Sequence, residues 1–285
     1  MVSLHDIRYV RVGTSDIDHA VEFATRVLGL ELGARETGAA YLRSDNRDHT
    51  LVYLDAPIED HTVGFELENL GEIDRAGAEL EAAGYPVHVG TGSECEQRRV
   101  KAFISFQEPS GTRIDLIAQA WHSGRSFFAS RPIAITGFSH VGLYTNVPAR
   151  DQAFWTGTCS AKVSDWIGDA PLLRIDEVHH KIALFPSTRH GVQHINHQVA
   201  SVDDVMRSYY FLREQGVRIR FGPGRHPTSG ATFLYFEGPD GMTYEYSTGV
   251  RLIADDADHR PRQFPFKPSS FCMWGSRPDI PEFQT

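Results

Sequence analysis

An internal repeat limits the folds open to this chain more than any other feature. Residues 104–116 (ISFQEPSGTRIDL) and 234–246 (LYFEGPDGMTYEY) share a strand pattern, a Pro-x-Gly turn and a second strand pattern with an acidic residue at the same place. The offset is 130 residues, and within two residues it also aligns Tyr9 with His140 and Phe65 with His197. Since a fixed period is the signature of repeated units, about half of the chain is a duplicated module.

Each copy combines strand patterns with amphipathic helices, which predicts an α+β fold. In the first copy Ser15 or Asp16 can cap a helix, and a second helix near 71–84 ends at Gly84. The second copy has such a helix near 203–215, which Gly216 closes. The strand patterns lie near 39–44, 49–54, 62–68, 101–106 and 113–118 in the first copy, and near 138–144, 179–185, 193–199, 231–236 and 243–248 in the second.

We therefore predict two tandem domains, residues 1–132 and 133–285, each built from paired βαβββ modules. The periodic pattern breaks near 121–136, where Gly124 and Pro132 lie. From about residue 252 the chain is rich in Pro, Arg and Asp, with scattered aromatics. This C-terminal tail is expected to pack on the outside of a domain or on a neighbouring subunit.

Composition and charge exclude several classes of protein. The formal net charge of −9 would repel a phosphate backbone, so nucleic acid is not an expected partner. No apolar run approaches the roughly 20 residues needed to span a bilayer, and the N-terminus has no secretory pattern. We expect a cytoplasmic protein with no membrane contact. The three cysteines are widely spaced and indicate neither a disulfide framework nor a thiolate zinc site.

Two imidazoles and a carboxylate on strand patterns of the second copy suggest a metal site. His140, His194 and Glu245 match the facial set of two histidines and one carboxylate, which binds a divalent metal and leaves other positions open. From the pattern alone, an exposed strand residue is the favoured interpretation of Glu245. His197 is a competing ligand, but it lies an odd number of positions from His194 and so faces the other side of a strand.

This duplicated chain resembles the vicinal oxygen chelate superfamily, and within it the type I extradiol ring-cleavage dioxygenases, which include 2,3-dihydroxybiphenyl and catechol 2,3-dioxygenases. The most specific match is residues 222–247, with a His, a Tyr nine residues on, Pro-x-Gly and a Glu. By this resemblance the metal ligands are His140, His194 and Glu245. The acid–base residues are His180, His226 and Tyr235.

The resemblance implies Fe(II)-dependent extradiol (meta) cleavage of a catechol by O₂, with both oxygen atoms inserted to give a hydroxymuconic-semialdehyde-type product. Fe(II) is preferred over Mn(II) only through the family, since both accept the same ligands. His180 would lie over the O₂ position and act as a general acid. Tyr235 would accept or share the first proton of the diol, and His226 would orient a substrate oxygen. The resemblance also implies a homo-oligomer.

Substrate size stays open. Gly238 stands where the family usually has an acidic or small polar residue, and Thr228 and Ser229 stand where biphenyl-type members tend to have Asn-Asp. The region around these residues resembles single-ring enzymes, whereas the His179-His180 pair resembles the bicyclic class. On one strand His179 and His180 would point to opposite faces, so His179 is expected to be a satisfied core or interface residue. His190 has no counterpart and is predicted to lie in a loop.

The first copy is predicted to hold no metal. Tyr9, Thr62 and Asp115 align with the three ligands, so only the carboxylate is retained. A phenol and a hydroxyl are poor substitutes for two imidazoles. His61 lies one position from the ligand slot and would face away unless the register slips by one residue.

Two other functions are considered. A non-catalytic binding protein of the same fold could sequester a small aromatic ligand, but it has no use for the triad together with His180, His226 and Tyr235. A metal-dependent isomerase or epimerase of the fold generally spreads four ligands over both modules. Tyr9 and Thr62 disfavour that arrangement.

Overall fold

The computed structural model describes residues 1–254 and 256–284, which form two units, each a mixed sheet with helices. The predicted α+β architecture of two tandem units is confirmed. The first unit contains β1 (Asp6–Thr14), α1 (Ile17–Arg26), β2 (Glu31–Glu36), β3 (Ala39–Arg43), β4 (Leu51–Asp55), β5 (His61–Glu66), α2 (Gly71–Ala82), β6 (His88–Val89), α3 (Gly92–Arg98), β7 (Val100–Gln107) and β8 (Arg113–Ala120). Its sheet has the strand order β2-β3-β4-β1-β5-β8-β7-β6.

The second unit repeats this plan and adds elements at its C-terminus. It contains β9 (Ile135–Thr145), α4 (Pro148–Ala153), a π-helical turn (Phe154–Thr158), β10 (Lys162–Ile167), β11 (Ala170–Arg174), β12 (Ile182–Pro186), β13 (Val192–Val199), α5 (Val202–Glu214), β14 (Ile219–Arg225), β15 (Thr232–Glu237), β16 (Thr243–Thr248), β17 (Arg262–Phe264) and α6 (Pro268–Phe271). Its sheet has the order β14-β15-β16-β13-β9-β12-β11-β10-β17. The predicted domain limit at residue 132 falls between the two sheets and stays a prediction.

Local chemistry explains where the helices begin. Asp16 is the N-cap of α1, where its side chain accepts a hydrogen bond from the N–H of His19. Ser201 caps α5 in the same way, by accepting from the N–H of Asp204. Such caps satisfy backbone donors that the first turn of a helix leaves free.

The register of three neighbouring strands is the same in both units. Asn196 on β13 lies opposite His140 on β9 and opposite Glu245 on β16. In the first unit Gly64 on β5 lies opposite Tyr9 and Asp115. The predicted alignment of Tyr9 with His140 and of Asp115 with Glu245 is therefore confirmed.

The two units share one apolar core, to which both sheets contribute. Polar contacts also join them. The hydroxyls of Tyr53 and Tyr244 lie 2.7 Å apart, Thr14 Oγ1 donates to Asp240 Oδ2 at 2.6 Å, and the Tyr246 hydroxyl donates to the Leu28 carbonyl at 2.8 Å. The second sheet is thus held firmly against the first.

Several elements differ from the sequence-based expectation. The patterns did not predict the edge strands β2 and β14, the inner strands β10 and β11, or the short helix α3. The preference of a residue for a strand depends on the neighbouring strands more than on the residue itself. The strand predicted from 179 begins at Ile182, so His179 and His180 precede it. No helix among the described residues is long and apolar enough to cross a membrane.

The C-terminal tail packs against the second sheet. Asp255 and Thr285 lie outside the described residues, but β17 pairs in parallel with β10 at the edge of the sheet, and Phe271, Ile280 and Phe283 are buried in a cluster with residues of the second sheet. The aromatic side chains of the tail complete an apolar cluster that the sheet alone leaves open.

Phe65→Ala tests the shared core. Phe65 is fully buried, and its ring centroid lies 5.5 Å from that of Trp155 in the second unit. Removing a buried phenyl group leaves a cavity, so we expect the free energy of unfolding to fall by about 3–5 kcal/mol. Phe128→Ala is the control, because Phe128 is 77% exposed. Equal denaturant midpoints for the two variants would contradict this packing.

Candidate metal centre and active site

Three ligand atoms converge on one point inside the second sheet. His140 Nε2 lies 3.0 Å from Glu245 Oε2 and 3.1 Å from His194 Nε2, and His194 Nε2 lies 3.5 Å from Glu245 Oε2. Adjacent ligands of one ion, at metal–ligand distances of about 2.1 Å, lie roughly 3 Å apart. Among the described residues, no other group of three or more histidine, cysteine or acidic side chains is close enough together to share an ion.

The protonation states of these side chains also fit a divalent metal. Burial opposes ionisation of Glu245, but His140 and His226 beside it outweigh burial and hold the pKa of Glu245 well below its usual range. Burial lowers the pKa of His194 to about 3. A carboxylate and a neutral imidazole are the forms that bind metal. Glu245 Oε2 accepts no well-aligned hydrogen bond from the described residues, which leaves its lone pairs free for an ion.

The backbone around His194 is shaped to hold its ring. The register of β13 against β9 shifts between Val192 and His194, and Gln193 lies in this bulge. His194 Nδ1 donates to Gln193 Oε1, so Nε2 carries the free lone pair. Such a contact fixes the orientation of a metal-binding histidine. The ring covers Gly142, where a Cβ would overlap it and lie 2.8 Å from Gln193 Oε1.

The three predicted acid–base residues lie next to this group. The ring centroids of His180 and His140 are 4.3 Å apart. His226 Nε2 lies 3.3 Å from the Tyr235 hydroxyl and 3.6 Å from Glu245 Oε1. The structure therefore brings all six predicted residues together, and their roles stay a prediction.

Four of the six, His180, His194, His226 and Tyr235, line a narrow cavity with a volume of about 20 Å³. Its polar wall consists of His180, His194, His226, Thr228, Ser229 and Tyr235, and its apolar wall of Ile167, Leu172, Ala183, Phe185, Phe271 and Phe283. Burial raises the pKa of Tyr235 well above its usual value, and the charge of Glu245 adds to this rise. Tyr235 is therefore a phenol near neutral pH and serves as a hydrogen-bond donor.

Sequence reasoning did not assign two residues beside His180 to the site. His179 Nδ1 lies 3.1 Å from His180 Nδ1, and His179 Nε2 lies 2.9 Å from Asp165 Oδ2. The expectation that the two histidines face opposite ways is wrong, because they precede β12 and strand parity does not apply to them. His179 is nevertheless fully buried with a hydrogen-bond partner, as predicted for a satisfied core residue. Asp165 lies on β10, a strand that the patterns did not predict, so the sequence offered no signal for it.

The remaining histidines lie away from the ligands. His197 is buried on the other face of β13, beside Phe138 at a ring-centroid distance of 6.1 Å, as predicted for the packing face. His190 lies in a loop, also as predicted.

In the first unit an arginine side chain binds the carboxylate that corresponds to Glu245. Asp115 Oδ2 accepts hydrogen bonds from the Tyr9 hydroxyl at 2.9 Å and from Arg98 Nε at 2.7 Å. The guanidinium of Arg98 thus neutralises the buried carboxylate that corresponds to Glu245. His61 Nδ1 instead accepts from the N–H of Val192 at 2.9 Å. These contacts support a metal-free first domain, which stays a prediction.

A larger cavity of about 330 Å³ lies between the two units. Tyr53, His61, Tyr144, Arg189 and Met242 are part of its lining. None of the three ligand residues lines it. The smaller cavity, in contrast, is lined by the ligand residue His194 together with His180, His226 and Tyr235.

Gly142→Ala tests how the metal ligand is held. The added Cβ would push the ring of His194 out of place, so we expect the variant to bind less than one tenth of the metal bound by the unchanged chain, measured by elemental analysis after reconstitution. Gly157→Ala is the matched control, because a Cβ there would meet no atom within 4 Å. Wild-type metal content in the first variant would contradict the proposed ligand geometry.

Metal stoichiometry tests the difference between the two domains. We expect one ion per chain, and none after Glu245→Gln, which removes the only carboxylate of the triad. Tyr9→Phe leaves the second unit intact and should still bind one ion. Two tightly bound ions per chain would show that the first domain is not metal-free.

Proteins of similar sequence include several that are named as ring-cleavage dioxygenases. An iron-dependent extradiol dioxygenase of Rhodococcus jostii is 25% identical over 90% of this chain and 93% of that protein. A 3-methylcatechol 2,3-dioxygenase of Pseudomonas putida is 29% identical over 88% of this chain and 92% of that protein.

Solved structures share the fold over the whole length. A halotolerant catechol dioxygenase superposes with a TM-score of 0.89 at 23% identity, covering 100% of this chain and 98% of that one. A Mn(II)-bound glyoxalase from Novosphingobium aromaticivorans gives 0.85 at 25% identity, covering 100% and 95%. The predicted resemblance to extradiol dioxygenases of the vicinal oxygen chelate fold is confirmed. The model of the Glyoxalase/Bleomycin resistance protein/Dioxygenase superfamily matches residues 6–116 and 137–246, and the chain belongs to this superfamily.

Proposed function

We propose that this protein is an Fe(II)-dependent extradiol dioxygenase that opens the ring of a single-ring catechol next to its diol. Both atoms of O₂ enter a hydroxymuconic-semialdehyde-type product. The observation that carries the proposal is the convergence of the ligand atoms of His140, His194 and Glu245. They lie beside a cavity that is lined by His194 and by His180, His226 and Tyr235. The relatives named as extradiol dioxygenases support it.

The three ligands fit a ferrous ion held on one face. Such an ion would acidify a coordinated diol and pass electron density between the ring and O₂, whose different spin states make direct reaction slow. Manganese accepts the same ligand atoms, and iron is proposed because the Rhodococcus jostii relative is named as iron-dependent.

His226 and Tyr235 are placed to bind the diol. His226 Nδ1 donates to the Phe271 carbonyl at 2.7 Å, so its Nε2 faces the cavity as an acceptor. The Tyr235 phenol, 3.3 Å from that Nε2, is a donor. The acceptor His226 Nε2 and the donor Tyr235 hydroxyl together suit a diol that loses one proton and keeps the other. His226 takes up or shares the departing proton, and Tyr235 donates to the oxygen left charged.

His180 is placed to handle a proton on the side of the cavity nearest His140. Burial lowers its pKa well below the usual histidine value, so the ring is neutral before substrate binds. A buried imidazole with no ligand role, next to a metal ligand, can pass a proton to an oxygen atom during ring opening.

The cavity favours a small substrate. Its volume of about 20 Å³ is less than a catechol ring needs, so binding requires the aromatic wall to move. Phe185 and Phe271 both pack against Phe283, with ring centroids 4.7 and 5.1 Å apart. A single ring requires a smaller displacement of this wall than a biphenyl does.

A metal-dependent isomerase is the second candidate, favoured by the structural likeness to the Mn(II)-bound glyoxalase. In the first unit Arg98 binds Asp115, the counterpart of Glu245. The first unit therefore offers no second set of metal ligands of the kind that such an isomerase generally uses. The expected cytoplasmic location and homo-oligomeric state stay predictions.

Reconstitution tests the proposed reaction. Protein loaded anaerobically with Fe(II) and then exposed to air is expected to consume one O₂ per catechol or 3-methylcatechol and to form a yellow product. Turnover of 2,3-dihydroxybiphenyl should be slower. Zn(II)-loaded protein is the control, because zinc is not redox-active. O₂ uptake that stays at background with every diol would contradict the dioxygenase proposal. Fastest turnover of 2,3-dihydroxybiphenyl would contradict only the proposed preference for a single-ring substrate.

His180→Ala tests the proposed proton donor. We expect kcat to fall about 10²–10⁴-fold, the usual contribution of general acid–base catalysis, while KM and metal content stay within about twofold. His190→Ala, in an exposed loop, should behave like the unchanged chain. Full activity of the His180 variant would remove this role.

A further inference from the structure

A line of buried hydrogen-bonding side chains leads from the cavity to the C-terminal tail. It runs from His180 to His179 through their Nδ1 atoms, 3.1 Å apart, and from His179 Nε2 to Asp165 Oδ2 at 2.9 Å. His179 and Asp165 are fully buried. Neither lines the cavity, so any effect on the reaction has to pass through His180.

Asp165 is held as a carboxylate by two arginines. Arg262 donates to Oδ1 through its backbone N–H at 2.8 Å and to Oδ2 through Nη2 at 2.7 Å, and Arg251 Nη2 lies 3.3 Å from Oδ2. Burial opposes ionisation, but the hydrogen bonds from His179 and Arg262 lower the pKa of Asp165 to about 2. An ionised carboxylate only accepts hydrogen bonds. The proton between Asp165 and His179 therefore belongs to His179 Nε2.

The proton on His179 Nε2 determines which nitrogens of His179 and His180 carry the other protons. The two arginines already balance the charge of Asp165, and burial lowers the pKa of His179, so His179 is neutral. Its single N–H proton is on Nε2, and its Nδ1 must accept. The atom next to Nδ1 is His180 Nδ1, which therefore donates. A neutral His180 is then left with an unprotonated Nε2, the nitrogen free for the cavity.

We propose that Asp165 and His179 are positioning residues for His180. They fix the plane of its ring and select the tautomer that carries the proton on Nδ1. His180 then meets substrate as a hydrogen-bond acceptor, and any proton that it passes on from Nε2 is the second proton of the diol, the one kept when His226 takes up the first. The catalytic consequence rests on the proposed function, but the tautomer does not.

Two substitutions at His179 separate positioning from packing. His179→Asn keeps an acceptor oxygen near the place of Nδ1, whereas His179→Leu removes it. Both leave the pairing of Arg262 with Asp165 intact. We expect His179→Leu to lower kcat about 10–100-fold, the usual effect of losing such a supporting contact, and His179→Asn to restore at least half of the loss on a logarithmic scale. KM and metal content should stay within about twofold.

Asp165→Asn is expected to exchange donor and acceptor in the hydrogen bonds that join residue 165, His179 and His180. Its amide can donate to His179 Nε2, which would move the proton of His179 to Nδ1 and that of His180 to Nε2, the wrong tautomer for the proposed role. We expect a loss of kcat at least as large as in His179→Leu. Asp256→Asn is the matched control, because Asp256 also joins the tail to the sheet, through Lys162 and Arg174. It should keep wild-type kcat.

The tautomer has a readout that needs no activity. In ¹⁵N-histidine-labelled protein loaded with Zn(II), we expect the ring of His180, assigned by comparison with His180→Gln, to show a protonated Nδ1. In Asp165→Asn the protonated nitrogen should be Nε2.

A protonated Nε2 in the unchanged chain would overturn the positioning proposal, and so would wild-type kcat in His179→Leu. If Asp165→Asn does not fold, the two His179 variants still decide the question. Absence of dioxygenase activity in the unchanged chain would instead defeat the proposed function, and the ¹⁵N spectrum would still test the tautomer.

Discussion

The register of β16, β13 and β9 is the constraint on which the rest of the structure depends. Asn196 lies between His140 and Glu245 in one row across the sheet, and His194 lies two residues along the same face. A slip of one residue in any of these strands would turn a ligand to the opposite face. The shared apolar core and the hydrogen bonds between the two units stabilise the sheet in this register. A carboxylate and two imidazoles buried this closely are costly without a cation, so the fold holds an arrangement that a metal would stabilise.

The first unit shows another way to satisfy the same buried carboxylate. It has the same register, yet Tyr9 and Arg98 surround Asp115 there. A guanidinium that is part of the chain binds the carboxylate permanently and offers no open position to substrate. This contact supports the predicted difference between the two copies, in which only the second binds a metal. The contact of Tyr53 with Tyr244 shows how directly the first unit supports the strand that carries Glu245.

The sequence was informative wherever a residue repeats in both copies or follows strand parity. Tyr9 and Asp115 could be aligned with His140 and Glu245 in this way, and the register of the two sheets confirms the alignment. The bulge at Gln193 could not be predicted, because it has no counterpart in the first copy and depends on pairing with β9. Asp165 was missed for a similar reason, since its partners come from loops and from the tail rather than from its own strand.

The tail and the sheet hold different parts of the site. The metal ligands are all on strands, whose positions are set by backbone pairing. The two histidines proposed to handle protons, His180 and His226, are held by side-chain and tail contacts. His226 donates to the Phe271 carbonyl, and Arg262 binds Asp165, which in turn contacts His179 beside His180. Arg262 also donates to the Thr228 carbonyl at 2.6 Å, close to His226. One segment therefore supports both sides of the cavity. Because that segment also supplies Phe271 and Phe283 to the wall, a movement that admits a ring would act on the proton-handling side chains while leaving the strand-borne ligands in place.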